Sequence, residues 1–160
     1  MAKLWQEAAS VAVGLGKCSV LEIAPQDHGG IRPMLPPTAS VTTFDIDPTS
    51  SADVIGDICE TNSVLPSESF DLLICTEVLE HVSNPFLAVM EIRRLLKPGG
   101  RAYLSAPFNF RIHGPLPDNW RFTEHGWRQL LSDFLSVDIF ELSAPGRPLM
   151  PVHYNVVVVK

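Results

Sequence analysis

The sequence predicts an α/β fold, a mostly parallel sheet covered by helices on both faces. Three observations lead there. Apolar runs of strand length alternate with segments of helical periodicity. Phe70–Pro107 forms one complete strand–helix–strand unit, with Pro98-Gly99-Gly100 as the helix stop. Two further β-type segments near the end of the chain flank a turn rich in Gly and Pro, which predicts a closing antiparallel hairpin.

Residues 2–13 are the first predicted helix, because Leu4, Trp5, Ala8, Val11 and Ala12 recur at helical spacing before Gly14 and Gly16. Together residues 1–16 make an N-terminal helical segment. Cys18–Ala24 is an apolar strand, followed by the turn-rich loop Pro25–Gly30, in which His28 is expected to be exposed. Three prolines crowd Ile31–Thr38, so only a stub of helix fits there. Ser40–Ile46, Asp53–Ile55 and Phe70–Thr76 are the next three strands. Pro85–Lys97 is a helix capped by Asn84, with Leu87, Val89, Met90, Ile92, Leu95 and Leu96 as its apolar face. Arg101–Ala106 is the fifth strand. The stretch 107–122 is an aromatic-, Pro- and Gly-rich loop of the length that usually marks a lid or binding loop. Thr123 caps a helix reaching about Ser132. Leu135, Val137 and Ile139 alternate with Ser136, Asp138 and Phe140 as a half-exposed strand, and Val152–Val159 is the last.

A chain of 160 residues suits one domain, and 46% hydrophobic against 19% charged residues supports a packed core rather than disorder. The net charge of -6 argues against nucleic acid as the main partner. Arg93, Arg94 and Lys97 form the one small basic cluster, which fits a solvated helix face. Three cysteines without a CxxC pair suggest a reducing compartment, with Cys75 buried. No run approaches a membrane span, and the N-terminus lacks a signal-peptide pattern. The expectation is a cytoplasmic protein that handles a small molecule, with no membrane insertion and an open oligomeric state.

In parallel sheets ligands bind outside the carboxyl ends of the strands. Three acids stand there: Glu22 in the first strand, Asp45 at the end of the second, and Asp57 after the third. A carboxylate at the second position can accept both hydroxyls of a ribose, and one at the third can accept from an adenine amino group.

VLEIAP, TFDIDP, ADVIGDI, FDLLICTEVLEHV and LLKPGGRAYLSAPF resemble class I S-adenosylmethionine-dependent methyltransferases, across residues 18–142. DLLICTEVLEHV with EIRRLLKPGG resembles the methyltransferase type 11 group most specifically, and DNWRFTEHGWRQLL is similar to a small subgroup. The resemblance implies a Rossmann-like three-layer sandwich, a mostly parallel seven-stranded sheet with an antiparallel last strand set between two others. It implies S-adenosylmethionine as cofactor and methyl transfer to an O, N or C nucleophile, while the compact build suggests a small-molecule or glycan- or lipid-type acceptor. Glu22, Ile23, Ala24 and Pro25 would then lie beside the methionine part. Asp45 would bind the ribose, Ile46 would pack on the adenine, and Asp57 and Ile58 would line the adenine edge. Thr76 and Glu77 would lie beneath the methyl group, with His81 at the rim or in the helix packing.

One departure stands out. The family loop is of the type E-x-G-x-G, whereas this chain has Glu22-Ile23-Ala24-Pro25-Gln26. Pro25 fixes φ and removes an N–H donor. A methyltransferase-like domain with weak or no cofactor binding, serving as a binding module, is therefore the alternative. A nicotinamide-dependent oxidoreductase would need Gly-x-Gly-x-x-Gly after the first strand, and that is absent.

In the 107–122 loop, His113 is a candidate general base and Arg121 a candidate clamp for a carboxylate or phosphate. Arg121 paired with Asp118 to hold the loop is the competing reading, as is His113 bonded to backbone. Phe108, Phe110, Trp120 and Phe122 suit either a lid or loop packing. Glu77, Glu80 and His81 have the composition of a metal cluster, but the spacing is not that of HExxH and no fourth ligand lies nearby in sequence, so no metal is expected. His125 is expected to be exposed, and His153 to be structural beside the final strand.

Overall fold

In the computed structural model, which describes residues 2–25 and 30–160, seven strands form one sheet. The expectations for Gln26, Asp27, His28 and Gly29 lie outside the described residues. The strands are β1 (Ser19–Ile23), β2 (Ser40–Asp45), β3 (Val54–Ile55), β4 (Phe70–Thr76), β5 (Leu96–Pro107), β6 (Ser136–Ser143) and β7 (Pro151–Val159). The helices are α1 (Ala2–Leu15), α2 (Pro85–Leu95) and α3 (Glu124–Leu130), with a 3-10 turn at Arg32–Met34 in the proline-rich stub. Strand order is β3-β2-β1-β4-β5-β7-β6. The first five strands are parallel, and β7 runs antiparallel between β5 and β6. The valine-rich last strand is thus interior, and its backbone donors and acceptors are paired on both sides.

Alternation along the central strands builds the layers. Leu21, Ile23, Leu73 and Cys75 face one side with Ala88, Ile92 and Leu95 of α2 and Trp127 and Leu130 of α3. Val20, Leu72, Ile74 and Tyr103 face the other, against Leu4, Ala8 and Ala12 of α1. Burying apolar side chains on both faces is what makes these runs nearly continuous in sequence.

Two expectations for α2 are corrected. Its buried stripe is Pro85, Ala88, Val89, Glu91, Ile92 and Leu95. Leu87 and Met90 are 44% and 64% exposed, because at 3.6 residues per turn they fall opposite that stripe. The helix also ends at Leu95, and Leu96 already pairs with Phe70. Lys97–Gly100 is then an irregular insert in β5 before Arg101 pairs with Leu72. Gly99 takes φ +76° there, a backbone state that suits glycine. Asn84 caps the helix as expected, accepting from the N–H groups of Phe86 and Leu87. Likewise α3 is shorter than predicted, although Thr123 caps it by accepting from Gly126 N. Leu135 lies outside β6 and is 81% exposed.

The basic cluster is not simply a solvated face. Arg94 makes a two-pronged bond to Glu91, with both contacts at 2.7 Å, and donates to Ser67 Oγ and to the carbonyls of Asn62 and Leu65. Glu91 is buried and also accepts from Asn62 N. Together they pin segment 62–67 onto α2. Lys97 pairs with Asp71 at 2.8 Å. Arg94→Ala would leave Glu91 buried and unpaired, so a loss of about 2 kcal/mol is expected in chemical denaturation. Burial raises the Glu91 carboxyl, but the Arg94 and Asn62 bonds outweigh it and hold it below its ordinary value. The pair's contribution is therefore present above the unfolded carboxyl value of about 4.3, and fades as pH falls through the lower folded value. The gap between wild type and Arg94→Ala should shrink on the acid side in the same way.

Candidate active site

The carboxyl ends of β1, β2 and β3 carry the first group of predicted residues. Glu22 is buried and accepts from Ile31 N at 2.8 Å, and burial pushes its carboxyl up. Its oxygens occupy the space where a Cβ on Gly30 would stand, 2.3 Å away, so glycine is required at that position. Ala24 adopts φ +50° while its N–H donates to Phe44 O at 2.7 Å. It thus holds the left-handed turn for which glycine is better suited. Ala24→Gly should relieve about 1 kcal/mol of strain, less the chain entropy glycine adds, raising the melting temperature by about 1–3 °C. An unchanged or lower melting temperature would show that the turn is not strained.

Asp45 is half-buried at the end of β2. Its carbonyl accepts from Gly56 N, its Oδ1 accepts from Asp47 N at 2.9 Å, and Oδ2 takes no bond from any described residue. Next to it Ile46 is 66% exposed, an apolar side chain standing free beside a carboxylate. Asp57 is half-buried and accepts from Cys59 N. The side chains of Ile23 and Ile58 are in the core, so at most their backbone faces a ligand. Strand ends, a free carboxylate oxygen and an exposed apolar side chain fit the adenosine part of S-adenosylmethionine.

At the ends of β4, β5 and β7 a second group converges. Thr76 is buried at the last position of β4. Glu77 follows at φ +59°, and its Oε1 accepts from Ser105 Oγ at 2.7 Å and from His153 Nε2 at 2.5 Å. Burial pushes the Glu77 carboxyl up, but the bonds from His153 and Ser105 outweigh it and hold it below its ordinary value. Glu77 and His153 line a cleft of about 810 Å³, together with Lys3, Glu7, Phe110 and Asn155.

His113 does not line that cleft. Asp118 Oδ2 accepts from its backbone N–H and from Nδ1, both at 3.0 Å. The Arg121 guanidinium grips Asp118, with Nη2 at 2.7 Å from Oδ2, and holds its carboxyl well below the usual range. Trp120 O and Arg111 O accept its remaining contacts. Arg121 therefore sits as a latch inside the loop. The loop is further fastened to the turn after β4: Asn119 N and Trp120 N donate to Glu80 O, and Trp120 Nε1 donates to Val82 O. Phe122 packs in the core on Trp127, Phe108 packs on Tyr154, and Phe110 alone of the four aromatics lines the cleft. Beneath the loop Glu80 is fully buried, and neither carboxylate oxygen has a partner among the described residues. Burial pushes it up to about 8, and Glu77 and Asp118 add to the shift.

Sequence reading did not place Ser105, His153 or Glu80 in the site. His153 sits 76 residues from Glu77, and only the antiparallel register Pro107↔His153 carries it to the end of β5. A histidine at the start of a strand that pairs with β5 was the one available signal.

Known proteins resemble this chain in sequence and fold. A curated ubiquinone biosynthesis O-methyltransferase of Dechloromonas aromatica (strain RCB) is 49% identical over 41 residues, 26% of this chain and 17% of the relative's length. Among solved structures, the CurJ carbon methyltransferase superposes with TM-score 0.75 at 19% identity, covering 97% of this chain and 53% of that one. A Burkholderia thailandensis 1,6-didemethyltoxoflavin-N1-methyltransferase with bound S-adenosylhomocysteine gives TM-score 0.64 at 20% identity, covering 98% and 78%. By their names these proteins methylate oxygen, carbon and nitrogen, so the shared fold does not select the acceptor atom. Residues 12–104, more than half of the chain, match the family model described as Methyltransferase domain, and the chain belongs to that family of class I methyltransferases.

Proposed function

We propose that this chain transfers a methyl group from S-adenosylmethionine to a hydroxyl oxygen of a small molecule held in the cleft beside β4, β5 and β7. The Glu77–His153 pair at the cleft wall carries the reading. An ionised Glu77 can only accept, so Nε2 of His153 bears the proton in that bond and Nδ1 is left as the basic atom. Nδ1 takes no bond from any described residue, and it can remove the proton of an acceptor hydroxyl as the oxygen attacks. Ser105 donates to the same Glu77 oxygen and fixes its rotamer. Oxygen as the acceptor atom is further supported by the stretch shared with the O-methyltransferase relative.

On this reading Asp45 holds the ribose hydroxyls, Ile46 packs on the adenine, Asp57 stands at its edge, and the Ala24 and Thr76 backbones flank the methionine part. When bound, S-adenosylmethionine supplies an electrophilic methyl on a sulfonium. The chain contributes placement and a base, which suits an in-line displacement. Glu7, Glu77 and Glu141 line the cleft with negative charge, complementary to a cation. Calorimetry with S-adenosylmethionine and S-adenosylhomocysteine tests the reading first, and binding of both is expected. Absence of heat at millimolar ligand would instead leave a methyltransferase-like binding module.

A further inference from the structure

We propose that Glu80, His81 and His113 bind a divalent transition-metal ion. Glu80 and His81 lie on the turn after β4, and His113 comes from the 107–122 loop. One ligand atom from each lies within 4.8 Å of the others. Nε2 of His81 and Nε2 of His113 both stand 3.7 Å from Glu80 Oε1. Ligand atoms about 2.0–2.1 Å from one ion stand about 3.3 Å apart in a tetrahedron, so the two gaps to Glu80 need close by only a few tenths of an ångström.

Hydrogen bonding on the far side of each ring sets the tautomers. His81 Nδ1 is 2.9 Å from Pro117 O, and a carbonyl only accepts. His113 Nδ1 is 3.0 Å from Asp118, which Arg121 keeps ionised. Both Nδ1 atoms therefore carry protons, and in neutral imidazole each Nε2 is then a lone pair. Two lone pairs face an oxygen of the Glu80 carboxyl at a distance too long for a hydrogen bond. Glu80 is fully buried, and no described donor reaches either oxygen. Two imidazole lone pairs and a buried carboxyl converge with no described group between them, and a cation that takes the place of the Glu80 proton suits such a set. A carbonyl and a carboxylate behind the two imidazoles are the outer partners that orient metal-binding histidines. Glu77 and Asp118 add negative potential at Glu80, while the charge of Arg121 is already taken by Asp118.

Two imidazoles and one carboxylate suit zinc, iron(II), cobalt(II), nickel(II) or manganese(II) rather than calcium or magnesium, which favour oxygen. Three protein ligands leave positions for water or an acceptor oxygen. Phe110 of the cleft wall packs on the His113 ring, with centroids 5.3 Å apart, so the site adjoins the cleft. The ion would also join the loop to the turn after β4.

Binding here does not depend on methyl transfer. The full chain, treated with chelator, is dialysed against Zn²⁺ or Co²⁺ and its metal content measured. The expected result is one ion per chain, with visible d–d absorption for Co²⁺ and a melting temperature raised by several degrees. His81→Ala, His113→Ala and the isosteric Glu80→Gln should each weaken binding by at least about 100-fold, and Asp118→Asn by about 10–100-fold. His125→Ala, an exposed histidine elsewhere, should bind as wild type does. No stoichiometric uptake overturns the proposal, as does uptake unchanged in His81→Ala and His113→Ala. S-adenosylhomocysteine titrated into the same samples separates the two readings. Binding of it without metal sinks only the metal site, and metal without it sinks only methyl transfer.

Discussion

His153→Gln should lower kcat by about 10²–10⁴-fold, the usual worth of a positioned general base. Glutamine can still donate an N–H to Glu77, so the wall of the cleft keeps its hydrogen bond while the basic nitrogen is lost. KM for the acceptor and the affinity for S-adenosylhomocysteine should stay within about twofold, because the change acts on proton removal and not on binding. Steady-state kinetics with a hydroxyl acceptor would read this split. A kcat unchanged in His153→Gln would remove the base from the mechanism and leave alignment alone to act. A parallel rise in KM with kcat intact would make His153 a binding residue instead.

Asp45→Ala should weaken S-adenosylhomocysteine by about 10²–10³-fold. Two hydroxyls donating to one carboxylate are charge-assisted bonds, each worth about 1.5–3 kcal/mol. The strand end itself should survive the change. Its register rests on backbone pairing of Asp45 with Ile55 and on the Gly56 N–H to the Asp45 carbonyl. Asp45→Asn keeps the oxygen that accepts from Asp47 N and should fall between wild type and alanine. Calorimetry gives all three affinities, with melting temperature as the check on folding. An Asp45→Ala affinity equal to that of wild type would refute the ribose assignment.

No described helix is long and apolar enough to cross a membrane. The fold was largely legible in the sequence because both faces of the sheet are buried. Apolar runs at Val20–Ile23 and Leu72–Cys75 have few other places to go, and Asn84-Pro85 and Thr123 announce helix starts through backbone chemistry that acts over three or four residues. Even there, helix phase escaped the reading. Leu87 and Met90 are apolar and yet exposed, while Glu91 is buried because Arg94 answers its charge. Composition identifies apolar residues, but only the partner across the interface determines which way a helix turns.

Local sequence placed Glu22, Asp45 and Thr76 at strand ends, since each follows directly from a strand boundary. Sequence left open whether Ala24-Pro25 permits cofactor binding, and the structure adds that Ala24 takes φ +50°. Tertiary structure alone decided the rest of the site. Asp118 holds both Arg121 and His113, β7 brings His153 to Glu77, and the 107–122 loop carries His113 over Glu80. These contacts join residues from separate elements, and their energies depend on burial and on distances of a few ångströms. Sequence by itself determined the layers and the strand ends at which the candidate site residues stand. The packing of β7 and the loop against β4 determined which acids and histidines meet there, because charge and proton position are settled between neighbours in space.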